Sequence, residues 1–144
     1  MPRILGIDPG EARIGVAVTD PTGSIAKPLT VISHSSRAAD AAKICDLADQ
    51  QGVGLILVGL PLDSEGRVGP QARRSLRLVE ALKSVCSVPI ETWDESGTTQ
   101  RARKGGKRGE PADDRAAAFL LQDYVDSKTG WEGANSTRLG AKQG

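Results

Sequence analysis

Carboxylates at three separate places in the chain could act together on one substrate. Asp8 ends the apolar segment Ile4-Leu5-Gly6-Ile7. Asp94 and Glu95 follow Val88-Pro89-Ile90-Glu91-Thr92-Trp93. Asp113 and Asp114 precede a run of alanines and leucines. Pro9-Gly10 after Asp8 is a turn signal, and Gly10 and Gly15 keep side chains away from the acid. A bulky anion can therefore approach the backbone there. An acid beside a phosphate-sized opening needs a cation between the two negative charges. Oxygen ligands from separate elements suit Mg²⁺ or Mn²⁺, which keep positions for waters and phosphate oxygens. Two such ions about 4 Å apart could activate a water and stabilise the leaving oxygen of a phosphodiester. The pattern points to phosphate chemistry.

Helical geometry ranks the two late acids. At 100° per residue Ala116, Ala117, Leu120, Leu121 and Tyr124 form an apolar stripe, with Asp113 at its middle and Asp114 at its edge. An inward carboxylate is unfavourable unless it meets a cation, so Asp113 is the better ligand. Taken singly, each acid has a plainer reading: Asp94 caps a turn, and Asp113 satisfies a helix N-terminus. Jointly, at strand ends and an inward helix position, they favour a metal site. Thr98 and Thr99 offer hydroxyls to the acids or to a phosphate, or cap a helix. His34, the single histidine, reads as a surface loop residue rather than a general base.

The elements that would carry these groups follow an α/β pattern. Ile4 to Asp20 reads as a β-hairpin, with Ile14, Val16 and Val18 at strand spacing. Pro28–Ile32 reads as a third strand. Arg37–Gln51 reads as a helix with Ala41, Ile44, Cys45 and Ala48 on one face, stopped by Gly52. Val53–Gly59 is a continuous apolar run, as for a strand buried on both faces. A loop from Leu60 to Gly66 precedes a helix over Pro70–Lys83, striped by Ala72, Leu76, Val79 and Leu82. Val88–Trp93 is a fifth strand, and Pro111 opens a last helix reaching about Asp126. The expectation is a five-stranded mixed sheet: three antiparallel strands at the N-terminal end, then two parallel ones, flanked by helices. Residues 1–126 form the domain, and 127–144, rich in Gly, Ser, Lys and Asn, read as a disordered tail.

Composition narrows the class. The chain has 144 residues, 38% apolar and poor in aromatics, so one domain with an aliphatic core is expected. A net charge of +1 gives no global attraction to nucleic acid, so any basic patch is local. Arg101, Arg103, Lys104, Lys107 and Arg108 form such a patch among glycines, and Arg73, Arg74 and Arg77 could extend it across a phosphate backbone. Cys45 and Cys86 read as separate, reduced, partly buried thiols. No apolar run approaches ~18 residues and no signal-peptide core precedes the hairpin, so a soluble cytoplasmic protein with no membrane partner is expected.

These motifs resemble the YqgF/RuvX family of Holliday junction resolvases. Gly6-Ile7-Asp8-Pro9-Gly10 through Ile14-Gly15-Val16-Ala17-Val18-Thr19-Asp20 is similar to its opening. Val58-Gly59-Leu60-Pro61-Leu62 with Gly66 and Gly69-Pro70-Gln71-Ala72 resembles its central signature. Trp93-Asp94-Glu95 with Thr98-Thr99, and Asp113 with Ala116, Ala117 and Leu121-Gln122-Asp123-Tyr124, resemble its last two motifs. The likeness spans residues 3 to 126. It implies an RNase H-like fold and a metal-dependent nuclease acting on four-way DNA junctions or the 5′ end of pre-16S rRNA, as monomer or homodimer. It further implies Asp8, Glu95 and Asp113 as catalytic acids. One departure stands out: Ser96-Gly97 occupy the place of the family's usual Arg-Leu, removing a cation near the acids.

Two other classes compete. Actin-like ATPases and sugar kinases use a similar Asp-Gly turn, but they need a duplicated domain, and 144 residues without a repeat leave no room. A non-catalytic RNase H-like nucleic-acid-binding module is the alternative: retention of all three acids argues against it, and the missing arginine argues mildly for it. The basic stretch yields a direct expectation. Replacing Arg101, Arg103, Lys104, Lys107 and Arg108 with Ser weakens nucleic-acid binding. Each lost phosphate contact lowers the slope of log affinity against log salt by about 0.7–0.9. An unchanged slope in a salt titration would show that the segment is only solvated.

Overall fold

A computed structural model of the chain describes residues 2–94 and 113–128, with the backbone alone at 113 and 114. The described elements run β1 (Ile4–Pro9), β2 (Arg13–Thr19), β3 (Ala26–Ser33), α1 (Arg37–Gln51), β4 (Leu55–Leu60), α2 (Pro70–Val85), β5 (Ile90–Asp94) and α3 (Asp113–Lys128). The sheet order is β3-β2-β1-β4-β5. β1, β2 and β3 pair antiparallel, whereas β4 joins β1 and β5 joins β4 in parallel. The expected mixed sheet is therefore present. Each parallel strand is reached through a helix, as a same-direction return requires.

Two apolar layers sandwich the sheet. Leu5, Ile7, Val16, Ile56 and Val58 point to one face and pack with Ala41, Ile44 and Ala48 of α1 and Leu78, Val79 and Leu82 of α2. Ile4, Ala17, Leu55 and Leu57 point to the other and pack under Ala117, Leu120, Leu121, Tyr124 and Val125 of α3. β1 and β4 are covered on both sides, which is why they read as continuous apolar runs. Among the described residues no helix is long and apolar enough to cross a membrane.

Local chemistry sets the helix ends. Ser36 caps α1 by accepting the Ala39 N–H at 3.0 Å. Gly52 ends it at φ 63°, a left-handed conformation in which a Cβ is strained. α2 has Pro70 in its first turn and continues two residues past Lys83 to Val85. Its inner face is rotated from the expected stripe: Ser75 and Leu78 are buried, whereas Leu76 is exposed. The interior positions of α2 are set by its packing against α1 and β4, which hydropathy periodicity alone cannot register. The third strand extends beyond Pro28–Ile32 at both ends, and α3 reaches Lys128. Pro111 and the tail from 129 onward lie outside the described residues.

One expectation needs correction. Cys45 and Cys86 are not separate thiols: they are paired as a disulfide, with Cα atoms 5.6 Å apart across 41 residues of sequence. α1 and α2 lie side by side on one face of the sheet, and that packing juxtaposes them. His34 is an exposed loop residue, as expected, and it has a partner. Its Nδ1 is hydrogen-bonded to Asp40 Oδ2, and Asp40 is buried in the first turns of α1 while also accepting the Ser35 N–H at 3.1 Å. The His34 N–H in turn donates to the Ala12 carbonyl at 2.9 Å, tying the β3–α1 junction to the tip of the first hairpin.

α3 sits unusually close to β1. A Cβ built on Gly6 would lie 3.0 Å from the Leu121 Cβ, an atom fixed to the helix backbone. Gly6→Ala is therefore expected to push α3 off the sheet and destabilise the protein by about 1–3 kcal/mol, read as a lower melting temperature. An unchanged melting point would show that α3 is not seated as described.

Candidate active site

Strand alternation decides which groups share a face. In β1, Ile4 packs under α3 and Gly6 faces Leu121, so Asp8, two residues on, also points to the α3 side. Across the hairpin Asp8 pairs with Gly15, which shares the face of Ala17. On its other side β4 continues in register from the pair Ile7 and Val58, bringing Gly59 beside Asp8. Gly59 pairs with Trp93 of β5, which packs into the α3-side layer. One cross-strand row thus reads Gly15, Asp8, Gly59, Trp93. The acid stands at the carboxyl end of the central strand with glycine on both sides, where ligands of open α/β sheets gather.

The start of α3 is directed to the same end. Gln122 of α3 accepts the Ala26 N–H at 2.8 Å and donates to the Ser24 carbonyl at 3.0 Å, at the opposite end of the sheet. The helix therefore climbs backwards from there, and Asp113, eight residues before Leu121, begins about 12 Å nearer the Asp8 end. Asp94 leaves the α3 face by alternation from Trp93 and is exposed. Of the other expected site residues, Glu95, Thr98, Thr99, Arg101, Arg103, Lys104, Lys107 and Arg108 lie outside the described residues, as do the side chains of Asp113 and Asp114. Among the described residues no three His, Cys, Asp or Glu side chains converge as a metal site.

The family model described as "RuvX: Holliday junction resolvase" matches residues 2–127. The chain belongs to the RuvX family. A Thermoanaerobacter pseudethanolicus relative named "Putative pre-16S rRNA nuclease" is 42% identical, covering 88% of this chain and 97% of that protein. A relative of the same name from Chloroflexus aggregans is 41% identical over 87% and 94%. Among solved structures, Thermus thermophilus RuvC in complex with Holliday junction substrate aligns with a TM-score of 0.58 at 18% identity, covering 90% of this chain and 97% of that one. The fowlpox virus Holliday junction resolvase aligns at 0.54 and 14% identity, covering 87% and 99%. The fold of this RuvX-family chain is accordingly RNase H-like.

Three further features of the RuvX-family chain lie on the elements around this end of the sheet. Trp93 donates its indole N–H to Asp123 Oδ2 at 3.0 Å and meets Tyr124 edge-on, with ring centroids 5.2 Å apart. The Tyr124 hydroxyl donates to Glu91 Oε1 at 3.0 Å. Burial raises its pKa above the ordinary value, and the Glu91 carboxylate adds to the shift. The loop after β4 is closed on itself: Asp63 accepts the Arg67 and Glu65 N–H groups at 2.8 and 2.9 Å, which holds its carboxyl below the usual range. Arg73 and Arg77 are exposed and Arg74 half-buried along the first half of α2, which follows that loop. The sequence reading missed the Trp93–Asp123–Tyr124 cluster. Its signal was available: Trp93 is two residues before Glu95, at strand spacing.

Proposed function

We propose that this protein is a divalent-metal-dependent nuclease of the cytoplasm that hydrolyses phosphodiester bonds in structured nucleic acid. The observation that carries the reading is Asp8, at the carboxyl end of the central strand, flanked by Gly15 and Gly59 and facing the helix that begins at Asp113. Glycines on both sides set no side chain beside the carboxylate. A hard oxygen donor at such a place fits Mg²⁺ or Mn²⁺ better than a thiophilic metal. Asp8, Glu95 and Asp113 would hold the metal, Asp94 being turned from the α3 face and exposed. Bound there, Mg²⁺ or Mn²⁺ supplies charge neutralisation and an activated water for hydrolysis.

The chain's own groups divide the remaining work. Arg73, Arg74 and Arg77 on α2, with Arg101, Arg103, Lys104, Lys107 and Arg108, would grip phosphates and position the substrate without reading bases. Thr98 and Thr99 would orient the acids. A pre-16S rRNA end is the favoured substrate over a four-way junction, because relatives carrying that name reach 42% identity, whereas the junction-bound structure shares 18%. Cleavage of a pre-16S rRNA fragment and of a four-way DNA junction, each in Mg²⁺ and in Mn²⁺, tests both choices. Asp8→Asn is expected to lose at least a hundredfold in rate, a loss of about 2.8 kcal/mol in transition-state stabilisation, while keeping the wild-type melting curve. Equal cleavage by Asp8→Asn, or by the unaltered protein in excess EDTA, sinks the proposal.

The first turn of α3 gives a second test. Asp113 lies on the stripe that Ala117, Leu120, Leu121 and Tyr124 continue into the core, and Asp114 is 100° further round. Asp113→Asn is expected to abolish cleavage and weaken Mg²⁺-induced thermal stabilisation, with Asp114→Asn near wild type in both. The reverse order would mean that the helix register relative to the metal is wrong.

A further inference from the structure

Cys45 and Cys86 join the two helices that cover one face of the sheet. Cys45 lies in the middle of α1, and Cys86 caps α2, its N–H donating to the Leu82 carbonyl at 2.8 Å. Their Cα atoms are 5.6 Å apart, within the span a disulfide bridges. Helix packing brings them together. Ala41, Ile44 and Ala48 of α1 pack with Leu78, Val79 and Leu82 of α2 in one apolar layer over the sheet, and all six are buried. That layer holds the helices side by side whether or not the sulfurs are bonded.

The cysteines themselves stand at the margin of the layer. Both are half-buried, and Cys86 sits at a helix terminus between the exposed residues Val85 and Ser87. Helix ends open locally at little cost, so a small thiol can reach the bond without unfolding the domain. The pair is also remote from the candidate active site. α1 and α2 set out from the edge where Asp8 stands, whereas Cys86 closes α2 about 24 Å further along.

We infer that Cys45 and Cys86 form a reversible redox site, a dithiol under reducing conditions and an intrachain disulfide under oxidising ones. A small-molecule disulfide is the oxidant. One cysteine thiolate attacks it and displaces the first thiol, and the second cysteine then displaces the other. The Cys45–Cys86 bond forms, two electrons pass to the oxidant, and the two cysteine protons end on the two released thiols. A dithiol reductant reverses both steps. Because the packed helices keep the two thiols adjacent, reclosure is intramolecular and favoured over mixed disulfides. The bond closes a long loop that contains β4 and α2, so it removes entropy from the unfolded chain and makes the oxidised form the more heat-resistant one.

The test uses the full chain, treated with glutathione disulfide or with dithiothreitol and then freed of reagent. Thiol titration and intact mass are expected to find no free thiol and no adduct in the oxidised form. The reduced form should carry two free thiols and weigh two hydrogens more. Each form should convert to the other without denaturant. The oxidised form should melt about 10 °C above the reduced one, with Cys45→Ser and Cys86→Ser melting like the reduced form in either buffer. Glutathione adducts or interchain dimers in place of the intrachain bond overturn the pairing. A bond that dithiothreitol opens only in denaturant is a permanent cross-link and overturns reversibility. Coincident melting of the two forms overturns the stabilising role.

Discussion

The close seating of α3 on β1 is the constraint on which the rest of the structure depends. Gly6 lets the helix backbone come down onto the central strand, where a methyl group would already touch the Leu121 Cβ. Interiors pack at near-crystalline density, so that one contact sets the height of the whole helix above the sheet. Leu120, Leu121, Tyr124 and Val125 then close the second layer. The height also fixes where the first turn of α3, with Asp113, arrives relative to Asp8. A glycine in the core thereby governs the geometry of acids at the rim.

The distribution of polar groups follows from the same architecture. Strands β1, β4 and β5 all end at one edge, and α1, α2 and α3 all begin there. Helix N-termini carry partial positive charge and favour anions, so this edge is the natural side for phosphate. The Asp63-closed loop and the His34–Asp40 contact lie at the same edge and stiffen the connections leading into α2 and α1. Asp40 is buried, and its oxygens are occupied by His34 and by the Ser35 N–H. An inward carboxylate with such partners is a structural brace, which distinguishes it from the rim acids.

Membership of the RuvX family and the RNase H-like fold agree with the mixed sheet and the helices on both its faces. The Trp93 cluster adds a feature that the acids alone do not supply. Two of the chain's few aromatics, Trp93 and Tyr124, are locked together by Asp123 and Glu91 on the α3 side of β5. Their rigidity comes from α3, so the contact that sets the acids also sets the indole.

Much of this was legible in the residues. β-branched alternation around Pro9-Gly10, the all-apolar run before Gly59, the Gly52 stop and the alanine-leucine stripe of α3 are local signals. Backbone sterics and helical or strand periodicity therefore declared the elements, their mixed sheet and the position of Asp8. What escaped were relations between elements. The inner face of α2 turned out to carry Ser75 and Leu78 in place of Leu76, Cys45 met Cys86 across 41 residues, and His34 found a buried partner in Asp40. These depend on how helices lie against one another and on the sheet. A residue's neighbours in sequence do not specify its neighbours in space, and only packing in three dimensions decided them.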